Sequence, residues 1–314
     1  MALDRYTLKL RQAMPLKDKI RFTENRIYEW VNRVGVNGTY ISFSGGKDST
    51  VLLDLVRNLY PKIEALFVDT GLEYPEIKKF VKTKENVTIL RPKMMFNQVI
   101  EKYGYPIISK SVSDTVELAK KNIIEGKETL RVMKLKGELM KNDGTPSFFN
   151  CSKWAFLLDA PFKISNKCCN VMKKTPAREF NKLTGKLPII GTMAEESLLR
   201  TKDYLKHGCN SFNGKKPHST PIAFWTEQDI LEYIVTKNLD YASVYGEIKQ
   251  DQNGKYYTTG CNRTGCMFCG FGCHLEKEPN RFQMMKKTHP TQWDYCINKL
   301  GLREVLDYIG VKYE

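Results

Sequence analysis

The stretch TYISFSGGKDSTVLLDLV, Thr39 to Val56, decides how the chain folds. Its first half holds Thr39, Tyr40, Ile41 and Phe43, β-branched or aromatic residues of the kind a buried strand uses. Its second half places Val51, Leu52, Leu55 and Val56 at helical spacing, with Asp48 and Ser49 suited to the cap or first turn. Between the two, Gly45 and Gly46 permit a tight turn that brings backbone N–H groups close to an anion. The helix N-terminus adds a partial positive charge, and Lys47 adds a full one. Ser44, Gly45, Gly46, Lys47, Asp48 and Ser49 therefore form a candidate phosphate cradle. It is not a Walker A loop, which needs a longer spacer between its glycines.

Working outward, residues 15–35 read as an amphipathic helix with Ile20, Ile27, Val31 and Val34 on one face. After the loop helix comes a second strand, IEALFVDTG, with Asp69, Thr70 and Gly71 at its end, where α/β sheets place ligand-binding residues. PEIKKFVKTK predicts a crossover helix, NVTILRP a third strand and LPIIGT a fourth. The pattern is α/β: a parallel sheet with helices on both faces. Lys110 to Lys141 reads as mostly helical and lysine-rich, with Val112, Val116, Ala119 and Ile123 on one stripe. Thr226, with Asp229 in capping-box position, opens a helix through EQDILEYIVTK. The expected organisation is a helical segment over 1–37 and a nucleotide-binding α/β domain over 38–225 with a basic insertion at 110–160. A helical, cysteine-rich segment over 226–314 completes it.

The 314 residues carry 50 Lys and Arg against 35 Asp and Glu, a net charge of +15. That balance favours polyanionic partners, with surplus lysine for solubility as the plain alternative. No apolar run approaches membrane-spanning length, so no membrane partner is expected. The charged N-terminus is unlike a signal peptide, and a cytoplasmic protein is expected. In that setting the nine cysteines point to metal ligation or thiol chemistry rather than disulfides.

Cys261, Cys266, Cys269 and Cys273 lie in one short run, CNRTGCMFCGFGC. Thiolates two residues apart in a turn can share one metal, and zinc and iron–sulfur both fit this spacing. His274 beside the run is a further possible zinc ligand. Cys168 and Cys169 are adjacent in KCCNVMKKTP, a pairing awkward for one ion but able to reach two irons of a cubane.

SGGKDS resembles the PP-loop of AMP-forming ATP pyrophosphatases. KCCNVMKKTP, TPIAFWTEQDILEYI and TTGCNRTGCMFC together resemble the phosphoadenosine/adenosine phosphosulfate reductase family. The resemblance covers roughly residues 38–275 and implies an adenine nucleotide alpha hydrolase-like fold. It implies a [4Fe–4S] cluster on Cys168, Cys169, Cys266 and Cys269, with Cys261 or Cys273 as substitutes for Cys169. It also matches Val68–Gly71 to a nucleotide-binding strand end and Arg200 in GTMAEESLLR to a substrate-gripping arginine. Two departures stand out. The reductases' C-terminal Glu-Cys-Gly-Leu/Ile-His motif is missing, the last cysteine being Cys296 in WDYCINKL, and the loop is complete for ATP.

Both departures point to ATP-cleaving relatives. The ATP pyrophosphatase of DNA phosphorothioation is similar in joining such a loop to the Arg263–Cys269 pattern, and PP-loop tRNA thiolases are looser relatives. The implied activity is cleavage of Mg²⁺-bound ATP to AMP and pyrophosphate, activating a nucleic acid (tRNA or DNA) for sulfur transfer. Lys47, Asp48 and Arg200 would carry the catalysis, Asp48 organising the Mg²⁺, and a cysteine desulfurase or similar protein would donate sulfur. Lys173 and Lys174 are further candidates to neutralise sulfate or phosphate. A sulfonucleotide reductase using Cys296, Cys209 or a partner's thiol is one alternative. A non-enzymatic zinc-containing nucleic-acid-binding module is another.

Overall fold

The computed structural model describes residues 3–214 and 216–314. In chain order its strands are β1 Thr39–Ser42, β2 Ala65–Val68, β3 Val87–Leu90, β4 Ile107–Ile108 and β5 Leu187–Ile190, followed by β6 Asn210–Ser211, β7 His218–Ser219, β8 Ile248–Gln250, β9 Tyr256–Thr258 and β10 Gly270–Phe271. The chain forms two compact units. The first holds the chain up to Asp69, then Glu73–Arg91 and Pro176–Thr264; the second holds Thr70–Leu72, Pro92–Thr175 and Gly265–Glu314.

The first unit is built on a sheet of order β3-β2-β1-β5-β7-β6, parallel throughout except for the antiparallel edge strand β6. The parallel register is direct: Ile41 stands opposite Ala65 on one side and Ile189 on the other. Strand β1 is central, so its apolar residues are covered on both faces, and Tyr40, Ile41 and Phe43 are all buried. The helix Lys47–Leu59 packs into the same core through Val51, Leu52, Leu55 and Val56. The helix Leu16–Val34 adds Ile27, Trp30 and Val31 to this core. The turn between β1 and its helix depends on Gly45, which has φ +72°. A Cβ there would lie 2.8 Å from methyls of Ile77 and Val81.

The second unit surrounds a short parallel pairing of β4 with β10, Gly270 opposite Ile107. Its core joins Ile107 and Ile108 to Val116 and Ala119 of the helix Lys110–Ile124, Val132 and Leu135 of Leu130–Lys136, and Leu157. Ile123, expected on the same stripe, is 47% exposed, so the apolar face ends a turn earlier. Among the described residues no helix is long and apolar enough to cross a membrane.

Candidate nucleotide and cysteine sites

The phosphate loop leaves the C-terminal end of β1 and enters its helix with Gly46 at the N-cap, which has no side-chain cap. Asp48 and Ser49 therefore lie in the first turn rather than capping it. Ser49 Oγ instead knits the loop together: it donates to the Gly46 carbonyl at 2.9 Å and accepts from the Ser44 amide at 3.2 Å. Ser44 Oγ lies 3.0 Å from Ser49 Oγ. The small residues of the motif thus fix the turn, with the Gly46 amide donating to Ser44 Oγ at 3.3 Å.

Lys47 is buried, and its ammonium reaches Glu227 Oε1 at 2.8 Å and the Asn262 carbonyl at 2.7 Å. Its amide donates to the Tyr245 hydroxyl at 3.2 Å, and that hydroxyl lies 2.6 Å from Thr264 Oγ1. Burial pushes the Tyr245 phenol up to about 12, so it is protonated at neutral pH. Asp48 has an oxygen, Oδ1, that is buried without a hydrogen-bond partner. Burial raises its pKa; Lys47 pulls it down and Glu196 pushes it up. Such an orphaned carboxylate oxygen beside a phosphate cradle suits Mg²⁺, which takes one or two carboxylates and fills its shell with phosphates and water. Arg200 caps Glu196 from one turn along its helix, and Arg263 meets the other oxygen of Glu196 at 2.7 Å. Asp69, at the end of β2, is held by Lys78 at 2.7 Å and Arg91 at 3.7 Å. Thr70 and Gly71 belong to the second unit, where Thr70 Oγ1 accepts from the Leu72 amide at 3.2 Å.

Glu227, Tyr245, Asn262 and Thr264 were not singled out as loop residues by the sequence. Glu227 sits inside a recognised capping motif, and Arg263–Thr264 inside a recognised cysteine segment. Each signal had a sufficient local explanation, so neither pointed to a loop some two hundred residues upstream.

The cysteines separate into different environments. Cys168 and Cys169 stand at the start of a helical stretch that continues through a π-helical turn, Asn170–Lys174. Cys168 donates its S–H to Cys169, which holds Cys169 down to about 6; Lys110, Lys173 and Lys174 add to that effect against burial. The same hydrogen bond raises the Cys168 thiol, as do burial and the charges of Cys169, Cys266 and Cys269. Those four sulfurs therefore share one electrostatic neighbourhood, wholly within the second unit. Cys266 and Cys269 close a tight turn, the Cys269 amide donating to the Cys266 carbonyl at 3.2 Å. Cys273 differs: it is buried, its thiol reaches the Gly270 carbonyl at 3.1 Å, and burial pushes it up to about 11. Cys261 lies in the first unit, hydrogen-bonded to Tyr74. His274 packs edge-on against Trp154, its ring centroid 5.1 Å away, and burial lowers its pKa.

Among the described residues no three His, Cys, Asp or Glu side chains are grouped as ligands of a single metal ion. A mononuclear zinc tetrahedron would set its sulfurs about 3.8 Å apart, from Zn–S bonds of about 2.3 Å. The four thiols come as two pairs, adjacent Cys168 and Cys169 and the Cys266–Cys269 turn, with lysines nearby to offset anionic charge, a donor set that suits an iron–sulfur cubane. Cys209 and Cys296, the candidate nucleophiles of a reductase, are both buried. Burial pushes the Cys209 thiol up to about 12 and raises Cys296 as well, the opposite of an activated nucleophile.

A doubly covered parallel sheet, with a serine–glycine–glycine–lysine loop at the end of its central strand, defines an α/β nucleotide-binding protein of the PP-loop kind. The family model for the phosphoadenosine phosphosulfate reductase domain matches residues 38–136 and 145–270, and the chain belongs to that family. The adenosine 5′-phosphosulfate reductase of Geobacillus kaustophilus is 26% identical over 217 residues, 68% of this chain and 70% of that one. Two uncharacterized proteins of Methanocaldococcus jannaschii are 41% identical over 70 residues and 23% identical over 268 residues. The matches span 21% and 83% of this chain but only 17% and 41% of those relatives' lengths. Two solved structures are also similar. The phosphoadenylyl-sulfate reductase of Candida auris has TM-score 0.40 and 15% identity, over 81% of this chain and 98% of that one. The U34-tRNA thiolase NcsA of Methanococcus maripaludis, solved with its [4Fe–4S] cluster, has TM-score 0.35 and 13% identity, over 92% and 80%.

Proposed function

We propose that this protein is an AMP-forming PP-loop enzyme that activates a nucleic-acid acceptor for sulfur transfer and holds a [4Fe–4S] cluster. The observation that carries the reading is the complete loop, Ser44 to Ser49, with a buried Lys47 whose ammonium is held by Glu227 and the Asn262 carbonyl. ATP would place its phosphates on the loop amides and Lys47, with Asp48 holding the accompanying Mg²⁺. A carbonyl oxygen of the acceptor attacks the α phosphorus, the bond from it to the bridging oxygen breaks, and pyrophosphate leaves. A donor at the sulfide level then displaces AMP, which carries the acceptor's oxygen away, and a proton is released. Lys47 and the amides stabilise charge as it develops on the leaving phosphates, and Arg200 would grip an anionic group of the substrate.

Cys168, Cys169, Cys266 and Cys269 would hold the cluster, which when bound supplies sulfur-binding, redox-active iron. Lys110, Lys173 and Lys174 favour the thiolate form at Cys169 and would offset the cluster's negative charge. The net charge of +15 supports a nucleic acid as acceptor, tRNA or DNA, with a cysteine desulfurase or equivalent as donor. Sulfonucleotide reduction is the second reading, favoured by the family's reductases; the buried, raised thiols of Cys209 and Cys296 require it to borrow a thiol from a partner.

The test offers anaerobically purified protein ATP with tRNA or DNA, and separately adenosine phosphosulfate with a thiol reductant and no ATP. Pyrophosphate release stimulated by nucleic acid is expected. Sulfite release from adenosine phosphosulfate, with none of pyrophosphate from ATP, would establish the reductase instead.

A further inference from the structure

We infer that a slot in the second unit takes one unpaired nucleotide of a single-stranded nucleic acid. The inference rests on the nucleic-acid acceptor reading and names where that acceptor is gripped. The slot is a cavity of about 530 Å³ between the helix Lys110–Ile124 and the segment Leu157–Ile164. That size suits a nucleotide, since small-molecule sites run from about 300 to 1,000 Å³.

Its floor is apolar: Val116, Leu157, Ala160 and Ile164 line it and belong to the unit's core. Tyr103 and Phe162 supply aromatic walls. Phe162 is held edge-on by Tyr105 at 5.7 Å and Tyr308 at 5.5 Å between ring centroids, so its ring is a fixed platform. Ile124, 80% exposed, stands at the lip, an apolar residue that a stacked base would cover. Aromatic platforms of this kind take bases of any sequence, each worth about 1–3 kcal/mol of stacking.

The rim is basic. Lys102, Lys120, Lys121 and Lys163 surround the opening against Glu117 and Glu125. Glu125 is already engaged by Lys121 at 3.8 Å and Lys127 at 2.8 Å, and Glu117 Oε1 by Lys167 at 3.4 Å. Among the described residues no carboxylate lies within ion-pair reach of Lys102, Lys120 or Lys163; Lys163 donates to the Glu101 carbonyl at 3.2 Å and Lys102 lies 5.3 Å from the centre of the Tyr103 ring, so no anion neutralises these three charges at the rim. They suit the phosphates on either side of an inserted nucleotide. A duplex cannot enter the slot, because its bases are stacked and paired. An apolar floor, a fixed aromatic platform and a rim of lysines that no anion neutralises therefore converge on one occupant.

The test uses the full-length protein and fluorescein-labelled oligonucleotides about twelve nucleotides long: single-stranded RNA, single-stranded DNA and a matched duplex. Wild-type protein should bind a single strand more tightly than the duplex, and comparison of the RNA and DNA arms identifies which. Ile124→Glu should weaken single-strand binding tenfold or more. Lys120→Gln should weaken it less and lower the slope of log affinity against log salt by about 0.7, one phosphate contact. Both residues are exposed, and circular dichroism and ATP affinity on the same samples verify that each variant is folded. Equal binding of duplex and single strand, or unchanged affinity in both folded variants, overturns the slot. Pyrophosphate release is scored separately. If it persists while no oligonucleotide binds, the slot and the acceptor class fall but ATP cleavage stands. If it is absent while Ile124→Glu still abolishes binding, the slot stands and the AMP-forming reading falls.

Discussion

Replacing Lys47 by alanine tests what the phosphate loop does. In the free protein the ammonium is occupied by Glu227 at 2.8 Å and the Asn262 carbonyl at 2.7 Å. A nucleotide must draw it from these partners, so its net contribution is a difference. A charge-assisted hydrogen bond to phosphate is worth about 1.5–3 kcal/mol. The pair given up includes a Glu227 side chain that is 37% exposed, and a half-solvated pair of that kind is worth about 1 kcal/mol or less. The difference, about 0.5–2 kcal/mol, predicts that Lys47→Ala weakens ATP binding about two- to thirtyfold. Glu227→Gln should act in the opposite sense, tightening binding up to about fivefold by releasing the lysine. Titration calorimetry with an ATP analogue carrying a methylene between the α and β phosphorus atoms reads both without turnover. Wild-type affinity in folded Lys47→Ala would show that no nucleotide uses that ammonium.

Three further outcomes follow from named contacts. Cys266→Ser and Cys269→Ser, prepared without air, should each lose the colour and most of about four irons per chain that the wild type is expected to carry; stoichiometric zinc and no iron in the wild type would rule the cubane out. Gly45→Ala should lower stability by about 2–3 kcal/mol in urea unfolding, since it forces a left-handed φ of +72° and a Cβ 2.8 Å from Ile77 and Val81; an unchanged midpoint would contradict the tight turn. Cys209 and Cys296 should resist iodoacetamide at pH 8 in the native protein and react on unfolding, because burial keeps both protonated; rapid native labelling of either would restore it as a candidate nucleophile.

The parallel sheet and the loop were legible because their signals are local. β1 is central and buried on both faces, so its composition alone marks it, and the glycines, lysine and helix spacing follow within a few residues. What surrounds the loop was not legible. Tyr245 and Asn262 reach Lys47 from about two hundred residues downstream, and no local periodicity encodes that return. The interleaving of the two units has the same origin: contiguous segments ending at residues 37 and 225 are what a pattern along the chain can draw, whereas each unit here is assembled from separate stretches. The cysteine run shows the limit most clearly. Spacing left Cys261, Cys273 and Cys169 as alternatives, and only folding gives Cys273 a carbonyl partner and Cys261 a tyrosine while setting Cys168 among Cys169, Cys266 and Cys269.

In the proposed function the loop serves cleavage between the α and β phosphates of ATP. Chromatography of the products from ATP labelled at the α phosphate, with anaerobically purified protein, Mg²⁺ and nucleic acid, tests it most directly. Labelled AMP with an equal amount of pyrophosphate, absent from Lys47→Ala, is the predicted result. Labelled ADP, or ATP recovered intact under every acceptor offered, would contradict it.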